Sequence, residues 1–158
     1  MIFVTVGTEL PFDRLVRAVD DWARENNRTD FFAQIGEGGW EPRFIRFQHF
    51  IEPPEFARVL ASASVVVSHA GAGIILTALR WEKPLLVMPR RASLGEQRNE
   101  HQLATARYLA EMGKVGVALD ENELRNKLMH LEEITARPKI GPYASEELRT
   151  AIRRFILL

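Results

Sequence analysis

The sequence predicts a doubly wound α/β domain built on one parallel sheet, and three observations carry that expectation. Short apolar runs rich in β-branched residues alternate with segments whose apolar positions follow the helical period. The strand-like runs are apolar throughout instead of alternating with polar residues, as strands covered on both faces are. One of them, Val65-Val66-Val67, passes into Ser68-His69-Ala70-Gly71-Ala72-Gly73 and then into a helical pattern from Ile74. Strand, glycine turn and helix in that order are the layout that α/β proteins use to hold phosphates.

With 158 residues, 46% of them hydrophobic, the chain can bury one core. The expected organisation is a domain over 1–135, then a linker and an amphipathic helix over 136–158. The first strand, 2–6, ends at Gly7-Thr8, and past Pro11 a helix carries Leu15, Val16, Val19, Trp22 and Ala23 on one face. That first turn lacks GxGxxG and hence the dinucleotide fingerprint, yet Gly7-Thr8 still offers amide N–H groups and a hydroxyl. Strands follow at 31–35 and 44–51, separated by Gly36-Glu37-Gly38-Gly39. Pro53 and Pro54 suit the first turn of a helix reaching Ala63, with Phe56, Val59, Leu60 and Ala63 as its buried stripe. The helix from Ile74 stops before Pro84, which starts the strand 85–88.

Residues 89–99 show no period and form a loop longer than the usual connection. A helix over 100–112 points Leu103, Ala106, Leu109 and Ala110 inward and stops at Gly113. A strand at 115–119 leads to a capping signal, Asp120 with Glu123, and a helix carrying Leu124, Leu128 and Leu131. Residues 136–143 read as a linker. The terminal segment sets Leu148, Ile152, Phe155 and Ile156 beside Arg149, Arg153 and Arg154. It either folds back on its own domain or docks to a partner subunit or an anionic membrane surface.

Zero net charge excludes a nucleic-acid binder that works by bulk charge. The absence of cysteine excludes disulfides and thiolate metal sites, and His49, His69, His101 and His130 lack metal-ligand spacing, so no metal is expected. The apolar start reads as a strand instead of a signal peptide. No apolar run nears the roughly 20 residues of a membrane span, and the expected location is cytoplasmic. In the central turn, Gly71 and Gly73 let a ligand approach the backbone, and the helix start presents unpaired N–H groups to a diphosphate. His69 is the one side chain there that can give or take a proton. Taken alone, the turn suits close helix packing, with His69 a satisfied buried histidine, equally well.

Taken in order, His69-Ala70-Gly71-Ala72-Gly73, Ala78-Leu79, Lys83-Pro84-Leu85-Leu86-Val87-Met88-Pro89, His101-Gln102-Leu103-Ala104 and Gly113 resemble the C-terminal, donor-binding half of GT-B glycosyltransferases of the MurG type, glycosyltransferase family 28. Val4-Thr5-Val6-Gly7-Thr8 with Phe12-Asp13 is similar to its small stand-alone members. These include the catalytic subunit of the eukaryotic dolichol-diphosphate N-acetylglucosaminyltransferase and bacterial exopolysaccharide subunits of the PssE type. Arg90-Arg91-Ala92, Gly95-Glu96 and Arg98-Asn99 look closest to the second group.

The resemblance implies a Rossmann-like sheet forming a single GT-B half domain. It implies that Ser68, His69, Ala70, Gly71, Ala72 and Gly73, with Gly7 and Thr8 beside them, hold the diphosphate of a UDP-sugar. Gln102 would hydrogen-bond the donor, and His69 is the catalytic candidate. Thr77 stands where many relatives place a ribose-binding glutamate, and His101 where they often carry an acid, so Glu96 or Gln97 would take over the ribose contact. Arg90-Arg91 is either a surface pair or a bidentate partner for a phosphate or a sugar carboxylate. The implied reaction is inverting transfer from the UDP-sugar, a substrate with no cofactor beside it, to a polyprenyl-diphosphate-linked glycan in polysaccharide biosynthesis. The implied partner is a membrane-anchored, acceptor-binding subunit that supplies the missing GT-B half and holds this chain at the inner membrane face. The alternative is a non-catalytic UDP-sugar-binding regulatory or scaffolding subunit. A hydrolase using His69 finds no GxSxG elbow in the chain.

Overall fold

The structure, a computed structural model, describes residues 1–113 and 115–136 together with 146, 150, 153 and 154. The expected linker and C-terminal helix lie, but for Ala136 and those four positions, outside the described residues.

Six strands make one sheet: β1 Ile2–Thr5, β2 Phe31–Gln34, β3 Arg46–Gln48, β4 Val65–His69, β5 Leu85–Met88 and β6 Gly116–Val117. Their order is β3-β2-β1-β4-β5-β6, and each neighbouring pair is parallel. The helices are α1 Asp13–Glu25, α2 Pro53–Ser62, α3 Ala72–Arg80, α4 His101–Glu111 and α5 Glu121–Met129. The strand order reverses between β1 and β4. At such a point the loops at the carboxyl ends diverge to opposite faces and leave a crevice, where open α/β sheets bind ligands. The register places Thr5 opposite Gln34 on one side and Ser68 on the other, so these three residues stand in a row beneath that crevice.

Because the strands are covered on both faces, successive side chains feed two cores. Val4, Val67, Leu86 and Met88 pack with Leu15, Val19 and Trp22 of α1 and Leu124 and Leu128 of α5. Phe3, Val66, Leu85 and Val87 turn the other way, onto Leu60 of α2, Ile75 and Ala78 of α3 and Ala106 of α4. Burying each such aliphatic side chain is worth about 1.5–3 kcal/mol.

The structure departs from the sequence reading in several places, among them the separation of Leu131 from α5 into a short turn of its own. β3 has three residues; on its N-terminal side Asp20 of α1 takes the backbone N–H groups, with Phe44 and Ile45 donating to its Oδ1 at 2.9 Å and Arg43 to its Oδ2 at 3.1 Å. β6 shrinks to two residues. α3 begins at Ala72, which leaves Ser68 and His69 in β4 and only Ala70 and Gly71 as the turn. Ala110 of α4 is exposed, and Ala106 alone on that helix is fully buried. The α5 cap forms as expected, with Asp120 accepting from the Glu123 N–H at 2.9 Å while the Glu123 carboxylate accepts from the Leu119 N–H at 2.8 Å. Among the described residues no helix is long and apolar enough to cross a membrane.

Candidate functional site

A cavity of about 610 Å³ opens over the carboxyl ends of β1 and β4. That volume falls within the roughly 300–1,000 Å³ typical of small-molecule sites. Gly7 and Thr8 form one side, and Gly71, Ala72 and Gly73 at the start of α3 form the opposite side. Gln97 and Gln102 close it from the loop after β5 and from α4, while Phe50, Ile51, Phe56 and Ile74 supply an apolar wall.

His69 closes β4, and its ring lies between the two glycine loops. A Cβ on Gly7 would stand 2.9 Å from the imidazole, and one on Gly71 only 2.2 Å from Nε2, so both positions need glycine to admit the ring. Gly7 also has φ +81°, a conformation glycine adopts without strain. Gly73 differs: a Cβ there would meet nothing within 4 Å, and its bareness leaves the first turn of α3 open to the cavity. No side chain caps that helix start, so its N–H groups and the positive end of its dipole are available to an anion.

The buried Ser68 hydroxyl donates to the Thr5 carbonyl at 2.9 Å and lies 3.2 Å from His69 Nδ1. A carbonyl only accepts, so the single hydroxyl proton is committed to it. The network therefore assigns the His69 proton to Nδ1, donating to Ser68, and leaves a lone pair on Nε2. Burial, helped by the positive charge of Arg90 and opposed by a hydrogen bond to Thr5, lowers the His69 pKa to about 4. The ring is neutral at pH 7. Nε2 accepts a proton or a hydrogen bond and donates only once the ring is charged.

The other expected residues divide. Gln102 lies on the cavity wall, where its Oε1 accepts the Arg90 N–H at 3.1 Å. The Thr77 hydroxyl, also on the wall, donates back to the Gly73 carbonyl at 2.7 Å. Arg90 reaches the cavity but is 2% exposed, and its guanidinium donates to the carbonyls of Pro11 at 2.6 Å, Val6 at 2.9 Å and Leu10 at 2.5 Å. Its burial lowers its pKa. Ser68 and Ala70 are buried beneath the turn, outside the lining. Glu96 lies away from the cavity: its carboxylate accepts from Arg14 at 2.6 and 2.8 Å and from the Arg91 N–H at 2.9 Å. Gln97 next to it is the loop residue on the cavity wall.

Sequence reasoning missed Gln34, which lines the cavity and whose Nε2 donates to the Gly7 carbonyl at 3.1 Å. The available signal was a polar residue near the end of an otherwise apolar strand. Phe50 and Ile51 were absorbed into an overlong third strand. Among the described residues no group of three or more His, Cys, Asp or Glu is placed to hold a metal ion.

Residues 1–151 match the model of the glycosyltransferase family 28 C-terminal domain. Over 78 residues, 49% of this chain, the sequence is 40% identical to the UDP-N-acetylglucosamine transferase subunit ALG13 of Eremothecium gossypii, and the match spans 36% of that relative. The solution structure of ALG13 superposes with a TM-score of 0.61 at 21% identity, covering 98% of this chain and 93% of that one. MurG of Acinetobacter baumannii superposes with a TM-score of 0.60 at 18% identity, covering 83% of this chain and 40% of that one. These superpositions show the shared fold, a Rossmann-like GT-B half domain. With a family model matched along nearly its whole length, the chain belongs to the glycosyltransferase family 28 C-terminal domain family.

Proposed function

We propose that this chain is the donor-binding catalytic subunit of an inverting glycosyltransferase that moves a sugar from a UDP-sugar to a polyprenyl-diphosphate-linked glycan. The observation that carries the reading is the open cavity at the strand-order reversal, with an uncapped helix start on one side, the Gly7-Thr8 loop on the other and Gln102 on its wall. In this reading the diphosphate rests against the N–H groups at Gly71, Ala72 and Gly73, with Gly7 and Thr8 across from it. The flat base lies on the apolar wall of Phe50, Ile51 and Phe56, and Gln102 bonds the sugar or ribose. His69 meets the departing diphosphate. Negative charge gathering beside Nε2 raises the pKa of the ring from about 4, so that it becomes a hydrogen-bond donor as UDP leaves.

The acceptor half comes from a membrane-anchored partner. The relative whose name makes it a transferase subunit supports that division. Placement in exopolysaccharide synthesis rests on the motifs at 90–99 alone.

The test is calorimetric titration of the chain with UDP, UDP-glucose, UDP-N-acetylglucosamine and UDP-glucuronate, followed by transfer assays on the assembled complex. At least one uridine nucleotide binds, and His69→Ala and Gln102→Ala each lower transfer. A chain that binds none of the four removes the proposal, while unchanged transfer in both variants reduces the role to donor binding without catalysis.

A further inference from the structure

The loop from Val6 to Pro11 is gripped by two buried side chains belonging to other elements, both of which also reach the cavity. Arg90 donates to the carbonyls of Val6, Leu10 and Pro11, and Gln34 donates to the carbonyl of Gly7. Both side chains come from residues 2% exposed. A trans peptide sets the N–H of one residue antiparallel to the carbonyl of the residue before it. Fixing the Gly7 carbonyl on Gln34 therefore turns the Thr8 N–H to the opposite side, where it has no partner among the described residues. Thr8 lines the cavity.

Neither grip is the arrangement that stability alone selects. Arg90 forms no ion pair among the described residues, so a buried cation is held by neutral carbonyls and the Phe12 ring, 4.8 Å from its centre. The Oε1 of Gln34 is buried with no hydrogen-bond partner, which leaves the amide half satisfied. Both groups spend their donors on the backbone of one loop, and that loop faces the anion-accepting start of α3.

We propose that Gln34 and Arg90 are positioning residues for the donor diphosphate, acting through the backbone of the 6–11 loop by drawing its carbonyls inward and presenting its amide face, the Thr8 N–H foremost, to the cavity. The inference rests on the UDP-sugar reading of the cavity. It assigns Arg90 no direct contact with the phosphate.

The experiment titrates the full chain with UDP and with uridine, which lacks the diphosphate, following backbone amide chemical shifts so that millimolar affinities can be read. The wild type is compared with Gln34→Met, Arg90→Met and Arg90→Lys. In each variant UDP affinity falls about tenfold, the size of one hydrogen bond to a charged group, while uridine affinity stays within about twofold. Lysine fails to rescue, because a single ammonium cannot span three carbonyls as the guanidinium fork does. The Thr8 amide shift induced by UDP in the wild type is lost. Equal losses for UDP and uridine, unchanged UDP affinity, or rescue by Arg90→Lys each overturn the inference. If Arg90→Met does not fold, Gln34→Met decides alone. A wild type that binds neither compound removes the donor reading and this inference with it, whereas variants that bind like a binding-competent wild type remove only this one.

Discussion

Replacing Gly71 with alanine tests whether that glycine is there for the His69 ring. Gly71 has φ −84°, which any residue adopts, so alanine brings no backbone strain. The new Cβ would lie 2.2 Å from Nε2 and 2.7 Å from Cδ2, more than an ångström inside ordinary contact. Gly7 hems the same ring from the β1 side, where a Cβ would already stand 2.9 Å away. The ring must therefore rotate, breaking the Nδ1 bond to Ser68, or the start of α3 must shift. Overpacking costs about 1–3 kcal/mol, the lost bond about 1 kcal/mol, and alanine for glycine at an N-cap up to about 1 kcal/mol, together roughly 2–5 kcal/mol. For a domain of this size that lowers Tm by roughly 4–20 °C. The assay is thermal and denaturant unfolding of Gly71→Ala, His69→Ala and the double variant. With the ring gone only the cap loss remains, so the cycle shows a coupling of about 2–4 kcal/mol. An alanine that costs the same in both backgrounds refutes the steric account.

Three further outcomes follow from the described contacts. His69 has a folded pKa lowered to about 4 against an ordinary value near 6.5, so between those limits the unfolded chain holds more protons. Its contribution is therefore complete above pH 6.5 and is lost as pH falls toward 4, by at most about 3 kcal/mol, and unfolding of wild type against His69→Gln across that window isolates it. Glu96→Gln breaks an ion pair whose side chains are 12% and 14% exposed, costing about 1–3 kcal/mol in denaturant unfolding. Because Glu96 is off the cavity wall, UDP affinity is expected to change less than in Gln102→Ala, and an equal change gives Glu96 a part in donor binding. Asp20→Ala strands three backbone N–H groups and costs about 2–5 kcal/mol by the same measurement, with Asp20→Asn losing less because one acceptor oxygen remains.

Legibility in the sequence followed the range of the interaction. β5, whose start Pro84 marks, and the Asp120 cap depend on residues a few positions apart, and both were found where expected. β3 was drawn too long because Phe44, Ile45, Phe47, Phe50 and Ile51 carry the composition of a strand. At its N-terminal end Asp20, more than twenty positions earlier, claims the N–H groups of residues 43–45, and no local pattern shows a carboxylate folding over to do so. In the site, Gly71 and Gly73 both read as places for close ligand approach. Space around them separates the two, since Gly71 makes room for a side chain two residues before it and Gly73 leaves room for whatever enters the cavity. The contact of Glu96 with Arg14, 82 positions away, is likewise invisible to any local pattern.

The magnitudes also bear on what the proposed transfer requires beyond this cavity, if the cavity takes a UDP-sugar as proposed. A helix start stabilises a neighbouring anion by under about 1 kcal/mol, rising to roughly 2 when partly buried. Enzymes lower their barriers by about 8–23 kcal/mol. His69 is too weak a base at a pKa of about 4 to strip a proton from a sugar hydroxyl efficiently. The cradle described here therefore assists the departure of a leaving group and does little for the attack on it. Holding the two reactants in line can supply roughly 7–11 kcal/mol. That gain exists only when something presents the acceptor across the cavity, so donor binding and transfer are separable properties.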